Sequence, residues 1–200
     1  MLKNFLIGIP VRNFKNPMSR LENVLSVEKR IELSKGMFKN IVKSFENEDT
    51  KIVCITNDEL VIDYCKNNGI ETFSTRKKGL NFELEEFLHS YEYEYWTICH
   101  ADLPYLNNFY AQEWIKECKS SQIVICSSKD SGTPLLGGNI KIKKLMYGKN
   151  SFDNHMNIFL QENSDIKKSF NKEFSFEIDD EEDFNSFLQH RPRWSKNLEF

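Results

Sequence analysis

The chain has 200 residues, 40% of them hydrophobic and 28% charged, with 16 Phe, 7 Tyr and 3 Trp. That aromatic content is enough to build a packed core, which excludes a disordered chain, and the length fits one domain. Lys and Arg number 27 against 30 Asp and Glu, a formal net charge of −3, so nucleic acid is not an expected partner.

No apolar run approaches the roughly 20 residues that span a bilayer, so no membrane partner is expected. Met1-Leu2-Lys3-Asn4-Phe5 lacks the apolar block of a signal peptide, and the expected location is the cytoplasm. The five cysteines (54, 65, 99, 118 and 126) contain no C-x-x-C pair. Cys54, Cys99 and Cys126 fall in strand-like runs, where a reduced thiol serves as a small hydrophobe.

In chain order, Phe5 to Pro10 reads as a buried strand, followed by a polar loop through Arg20. Ser26 is placed to cap a long helix carrying Ile31, Phe38, Ile41, Val42 and Phe45. Lys51 to Thr56 reads as a second strand, and Asn57-Asp58 opens a helix that ends at Asn68-Gly69. Ile70 to Phe73 is a brief strand, Arg76 to Gly79 a loop, and Leu80 to Tyr91 a helix. Tyr95 to Cys99 is a strand, Asn108 to Lys119 a helix, and Ile123 to Cys126 another strand. A Gly-rich segment, a polar loop and a helix follow, then an expected final strand from Phe174 to Ile178 and a helix from Asp180 to Leu188. Alternating strands and helices predict an α/β domain, a mostly parallel sheet flanked by helices, over residues 1–190 with a tail at 191–200.

In such sheets, ligands sit beyond the carboxyl ends of the strands, near a switch in strand order. Four clusters qualify. Pro10-Val11-Arg12-Asn13-Phe14-Lys15-Asn16-Pro17-Met18-Ser19-Arg20 holds three cations and exposed amides, a combination that suits a triphosphate, though a solvated loop reads the same way. Asp102, in His100-Ala101-Asp102-Leu103-Pro104, stands just past a strand, where it suits Mg²⁺ or simply caps a turn. Ser131-Gly132-Thr133-Pro134 and Tyr147 to His155 offer glycine amides and the hydroxyls of Thr133 and Ser151. His155 also has a plainer reading, a structural histidine. Strand alternation would put Glu177 and Asp179 on one side of the last strand, a second metal anchor.

The order of these pieces resembles the 2-phospho-L-lactate guanylyltransferase family, within the nucleotide-diphospho-sugar transferase-like, Rossmann-like nucleotidyltransferase fold. The resemblance covers about residues 6–188. It rests on Pro10-Val11-Arg12 with Ser19-Arg20-Leu21, on Gly79-Leu80-Asn81, and on Ala101-Asp102-Leu103-Pro104. Gly132-Thr133, Tyr147-Gly148 through Ser151 and His155, and Ile178-Asp179 with Glu182-Asp183 complete it. It implies transfer of GMP from GTP to a small phosphorylated carboxylic acid, with release of pyrophosphate. Pro10, Val11, Arg12, Lys15, Ser19 and Arg20 would hold the triphosphate, with Leu80 and Asn81 at the nucleotide. Asp102, Glu177 and Asp179 would bind Mg²⁺, and Thr133, Gly148, Ser151 and His155 would seat the acid. Asp102, Arg12 and Arg20 are the catalytic candidates. The sequence departs from the family pattern at Met18 (usually Lys), Phe82-Glu83, Pro134 and Glu177. These departures leave two alternatives open: a cytidylyl- or other nucleotidyltransferase, and an inactive nucleotide-binding relative. A homodimer is compatible with the sequence.

Overall fold

The strands β1 (Phe5–Pro10), β2 (Thr50–Ile55) and β4 (Tyr95–Cys99) lie side by side and parallel, with β1 in the middle. The structure is a computed structural model that describes residues 4–75 and 79–200. The loop expected at Arg76-Lys77-Lys78 lies outside the described residues, as does the Met1 to Lys3 start. With β3 (Glu71–Phe73), β5 (Ile123–Cys126), β6 (Leu135–Gly138) and β7 (Ile166–Ser169), the described strands form one sheet in the order β3-β2-β1-β4-β6-β5-β7. Within it, β6 runs antiparallel to both its neighbours.

Alternation along β1 assigns each face of the sheet its helices. Phe5, Ile7 and Ile9 pack with Phe38, Ile41 and Phe45 of α1 (Val27–Phe45), Val61 of α2 (Glu59–Asn67), and Trp114 of α4 (Asn108–Ser120). Leu6 points the other way, toward Leu84 and Phe87 of α3 (Leu80–Ser90) and Phe159 of α5 (Ser151–Gln161). Caps follow the sequence: Ser26 accepts from the Lys29 amide and Asp58 from the Val61 amide. After the four-residue α6 (Lys172–Ser175), α7 (Glu181–Gln189) starts with a capping box between Asp180 and Asp183. A third apolar cluster joins Leu33 and Met37 of α1 to Phe184 and Phe187 of α7. Trp194 packs on it and donates its indole N–H to the Pro104 carbonyl at 2.8 Å. All five cysteines are buried and unpaired. No described helix is long and apolar enough to cross a membrane.

Two corrections concern the region after residue 130. The Gly-rich stretch is the strand β6, wedged between β4 and β5. A Cβ on Gly137 would stand 2.6 Å from the Trp96 carbonyl oxygen and 2.7 Å from the Cys118 sulfur. The glycines there mark close backbone approach, so a turn-like composition conceals a central strand. The expected strand from Phe174 to Ile178 is replaced by α6, capped by Asn171, and an irregular extended run. Phe174, Phe176 and Ile178 alternate as a strand would, but Phe174 is buried in one apolar cluster while Ile178, with the half-buried Phe176 against it, belongs to another, and no ladder joins them. The last strand is β7, Ile166-Lys167-Lys168-Ser169, whose exposed lysines suit the edge it occupies.

Chain order β1-β2-β3 grows one way from β1, and β4 then returns to its other side. The switch in strand order thus falls between β1 and β4, beyond Pro10 and Cys99. Because β6 is antiparallel, its start at Leu135 shares this edge, and His100 N donates to the Pro134 carbonyl at 2.9 Å.

Candidate active site

The loop after β1 is shaped from within. Val11 N donates to the Ile55 carbonyl at 3.0 Å, continuing the strand pairing by one residue. The Asn13 side chain accepts from Asn16 N at 2.8 Å, closing a local turn. Arg30, buried on α1, donates through one nitrogen to Asn16 Oδ1 at 2.6 Å and the Pro17 carbonyl at 2.7 Å. Sequence reasoning missed this brace, because Arg30 stands in an amphipathic helix where an arginine reads as solvated. Met18 adopts φ 50°, and its side chain packs onto the Leu21 and Ile178 cluster, so this position serves as an apolar anchor. Arg12, Lys15, Ser19 and Arg20 are left exposed. Three cations are thereby presented at the switch-point edge, where an anion meets them without first breaking buried contacts.

Opposite this loop lies the carboxylate cluster. Ile178 N donates to the Asp102 carbonyl at 3.3 Å, which brings the 176–180 segment alongside the turn after β4. One ligand atom from each of His100, Asp102 and Glu177 falls within 4.8 Å of the others. His100 Nδ1 and Glu177 Oε1 are 2.7 Å apart. Burial raises Asp102 well above the usual carboxylate range, Glu177 reinforces the shift, and His100 opposes it. Burial alone would lower His100, but the Glu177 hydrogen bond and the surrounding carboxylates outweigh it and lift the imidazole to about 9. Burial and Glu177 also raise Asp179, whereas Arg20, 3.9 Å from Asp179 Oδ1, opposes them. Arg20 therefore connects the cationic loop to the acidic one.

Asp102 Oδ1 is buried and has no hydrogen-bond partner among the described residues. A carboxylate oxygen removed from water and given no donor is costly unless a cation completes it. Two carboxylates and an imidazole around that oxygen fit a divalent ion.

The third cluster is organised differently from expectation. His155 and Thr133 are fully buried and Ser151 nearly so. Met146 N donates to His155 Nε2 at 2.8 Å, which fixes the ring proton on Nδ1, directed at Thr133 Oγ1 3.1 Å away. Ser151 Oγ donates to the same Thr133 oxygen at 3.0 Å. Asn81 is likewise engaged: it donates to the Tyr147 carbonyl at 3.0 Å and accepts from Tyr147 N at 2.7 Å. Glu85 accepts from Leu145 N at 2.7 Å. Three successive amides, 145 to 147, are therefore held by side chains of α3 and α5. The hydroxyls of Thr133 and Ser151 and the ring of His155 face each other inside the protein. What the segment presents outward is Gly148, exposed with φ 135°; at the start of α5, Ser151 is buried and Phe152 N donates to the Ser131 carbonyl at 3.0 Å. Glu83 reaches back to Gly79 N and Asn57, as a residue of the first helical turn does.

The structure thus brings Arg20, His100, Asp102, Glu177 and Asp179 to one edge, and makes Asn81, Thr133, Ser151 and His155 the internal frame of a neighbouring loop. This sheet order, with an acidic cluster at its switch point facing a cationic loop, defines an α/β protein of the nucleotidyltransferase fold. Comparison agrees: the chain superposes at TM-score 0.77 on a protein assigned as a nucleotide-diphospho-sugar transferase in Desulfovibrio desulfuricans G20 (14% identity; 100% and 90% of the two chains covered). The profile of the family described as "Guanylyl transferase CofC like" matches residues 5–197, and the chain belongs to that family. The 2-phospho-L-lactate guanylyltransferase of Methanocaldococcus jannaschii is 32% identical over 129 residues, 64% of this chain and 57% of that protein. Its counterpart in Methanosphaera stadtmanae is 26% identical over 190 residues, covering 91% of this chain and 82% of that one.

Proposed function

We propose that this chain is a divalent-cation-dependent guanylyltransferase, moving GMP from GTP to a small phosphorylated carboxylic acid and releasing pyrophosphate. The observation that carries this reading is the buried, unpartnered Asp102 oxygen beside Glu177, facing the cations of residues 11–21 across the switch point. Family membership and the relatives named as 2-phospho-L-lactate guanylyltransferases support the nucleotide and the acceptor class.

In the proposed reaction a phosphate oxygen of the acceptor attacks the α-phosphorus of GTP in line, and the bond to the β-phosphate oxygen breaks. The electron pair leaves with pyrophosphate. The nucleophile is already ionised near neutral pH, so no side chain has to remove a proton. Two anions must be brought together, and positioning with charge neutralisation supplies most of the catalysis. Arg12, Lys15 and Arg20 bind the triphosphate, while Asp102 with Glu177 and Asp179 hold the divalent cation. When bound, the cation neutralises charge gathering on the phosphate oxygens. Gly148 and the exposed stretch beside it receive the acceptor, with the positive end of the α5 dipole behind them. The frame of Asn81, Thr133, Ser151 and His155 holds the adjoining Met146-Tyr147 backbone in place. The engagement of Asn81 with Tyr147 leaves recognition of guanine to other groups of the pocket.

The test is pyrophosphate release over GTP, ATP, CTP and UTP, each with 2-phospholactate, phosphoenolpyruvate, 3-phosphoglycerate and a sugar 1-phosphate. GTP with a phospho-acid is expected to give the highest kcat/KM. A preference for CTP would remove the guanylyl assignment, turnover of the sugar phosphate alone would remove the acceptor class, and no release with any pair would remove the activity.

A further inference from the structure

We infer that His100 is itself a ligand of the cation, so that the centre is a mixed nitrogen–oxygen site selecting Mn²⁺-like transition ions over Mg²⁺. This rests on the reading of Asp102 and Glu177 as a metal centre and adds a ligand and a selectivity to it. His100 stands two residues before Asp102, immediately after Cys99 closes β4. Its main chain is fastened to the Pro134 carbonyl at 2.9 Å, so the ring starts from a fixed point of the sheet edge. Ring position is limited further by Glu177 Oε1 at 2.7 Å from Nδ1 and by the Tyr147 ring, with centroids 5.6 Å apart. A quarter of the His100 side chain is still exposed, which gives an ion a way in.

The spacing suits shared coordination. Ligand atoms about 2.1 Å from one ion lie roughly 3 to 4 Å from each other. The nearest atoms of His100, Asp102 and Glu177 fall between 2.7 and 4.8 Å apart, a separation one ion can bridge, and its entry displaces the proton that the ring shares with Glu177. The unpartnered Asp102 oxygen independently marks the place where positive charge is missing. Two carboxylates alone would suit Mg²⁺, a hard ion that takes oxygen ligands and retains water. An imidazole nitrogen in the first coordination sphere shifts preference toward Mn²⁺, Co²⁺ or Zn²⁺. The plainer role for His100 is to orient Glu177 from outside the coordination sphere, as histidine–carboxylate pairs do elsewhere. That role predicts no bond between ion and nitrogen.

Electron-spin-echo spectroscopy on Mn²⁺ bound to protein labelled with ¹⁵N-histidine separates the two. Pyrophosphate, which contains no nitrogen, fills the phosphate site. The expected result is a ¹⁵N coupling that is present in the labelled wild type and lost in His100→Ala. In parallel, the concentration ratio at which Mg²⁺ displaces Mn²⁺ is expected to fall by roughly tenfold or more in that variant. Bound Mn²⁺ without ¹⁵N coupling overturns the His100 ligand and leaves the carboxylate centre standing. A coupling that survives in His100→Ala places it on another histidine and also overturns the inference. Failure of Mn²⁺ to bind at all, with pyrophosphate present, overturns both. If His100→Ala does not fold, His100→Asn replaces it in the same comparison.

Discussion

His155 has two ring nitrogens with different duties, and both can be read from their partners. Nε2 must accept, because Met146 N can only donate, and the neutral tautomer is thereby fixed. Burial holds the imidazole down at about 4, below its ordinary 6.5. As pH falls, the unfolded chain therefore takes up its proton first. The contribution of the neutral ring is complete above about 6.5 and drains away as pH falls toward 4, worth about 3 kcal/mol in all. In urea titrations the stability gap between wild type and His155→Gln should narrow over that range, and a gap constant from pH 7 to 4 would contradict the assignment. Arg30→Ala leaves Asn16 and the Pro17 carbonyl without their donor, a loss of about 1–3 kcal/mol by chemical denaturation. Because it also frees the cationic loop, KM for the triphosphate should rise more than kcat falls. Of these residues, the position of Asp102 just after a strand was legible, whereas His155, expected to seat the acid, lies buried in the frame with both ring nitrogens engaged. His100 and Arg30 were not legible, since each takes its meaning from a partner 77 or 14 residues away in sequence.

At the scale of elements, β1, β2, β4 and β5 are legible because central parallel strands are apolar on both faces and read as continuous runs. Their helices are legible from caps such as Ser26 and Asp58. β6 was hidden because Leu-Leu-Gly-Gly is what two close neighbouring strands permit, and the neighbours are not visible in a local window. β7 was hidden by its edge lysines, which break the apolar pattern. Gly137→Ala should lower stability by about 1–3 kcal/mol or more, because the added methyl meets the Trp96 backbone, which cannot move aside as a flexible side chain would. An unchanged melting temperature would show that the strand has room it is not credited with. Asn81→Ala tests the frame around Tyr147. Freed from its two hydrogen bonds, the 145–148 segment should hold the acceptor poorly, and KM for the phospho-acid should rise while KM for GTP changes less.

The whole molecule gathers four separate stretches of chain at one edge of a sheet. Residues 11–21 bring cations, 100–106 and 176–180 bring the carboxylates and His100, and 145–151 brings the exposed Gly148. Their meeting follows from the strand order, which returns the chain across β1 and sets the ends of β1 and β4 side by side, where ligands of such sheets sit. Chelation with EDTA should abolish pyrophosphate release, and added divalent ion should restore it. The most direct check of the account is turnover of Asp102→Asn, with GTP and the acceptor that wild type uses best. The substitution removes the charge of a buried oxygen that has no protein partner, so folding and melting temperature should be kept or improved. Pyrophosphate release should nonetheless fall by about two orders of magnitude or more, a loss of roughly 2.7 kcal/mol in transition-state stabilisation. Release near the wild-type rate from the folded variant would mean that the centre of the chemistry lies elsewhere.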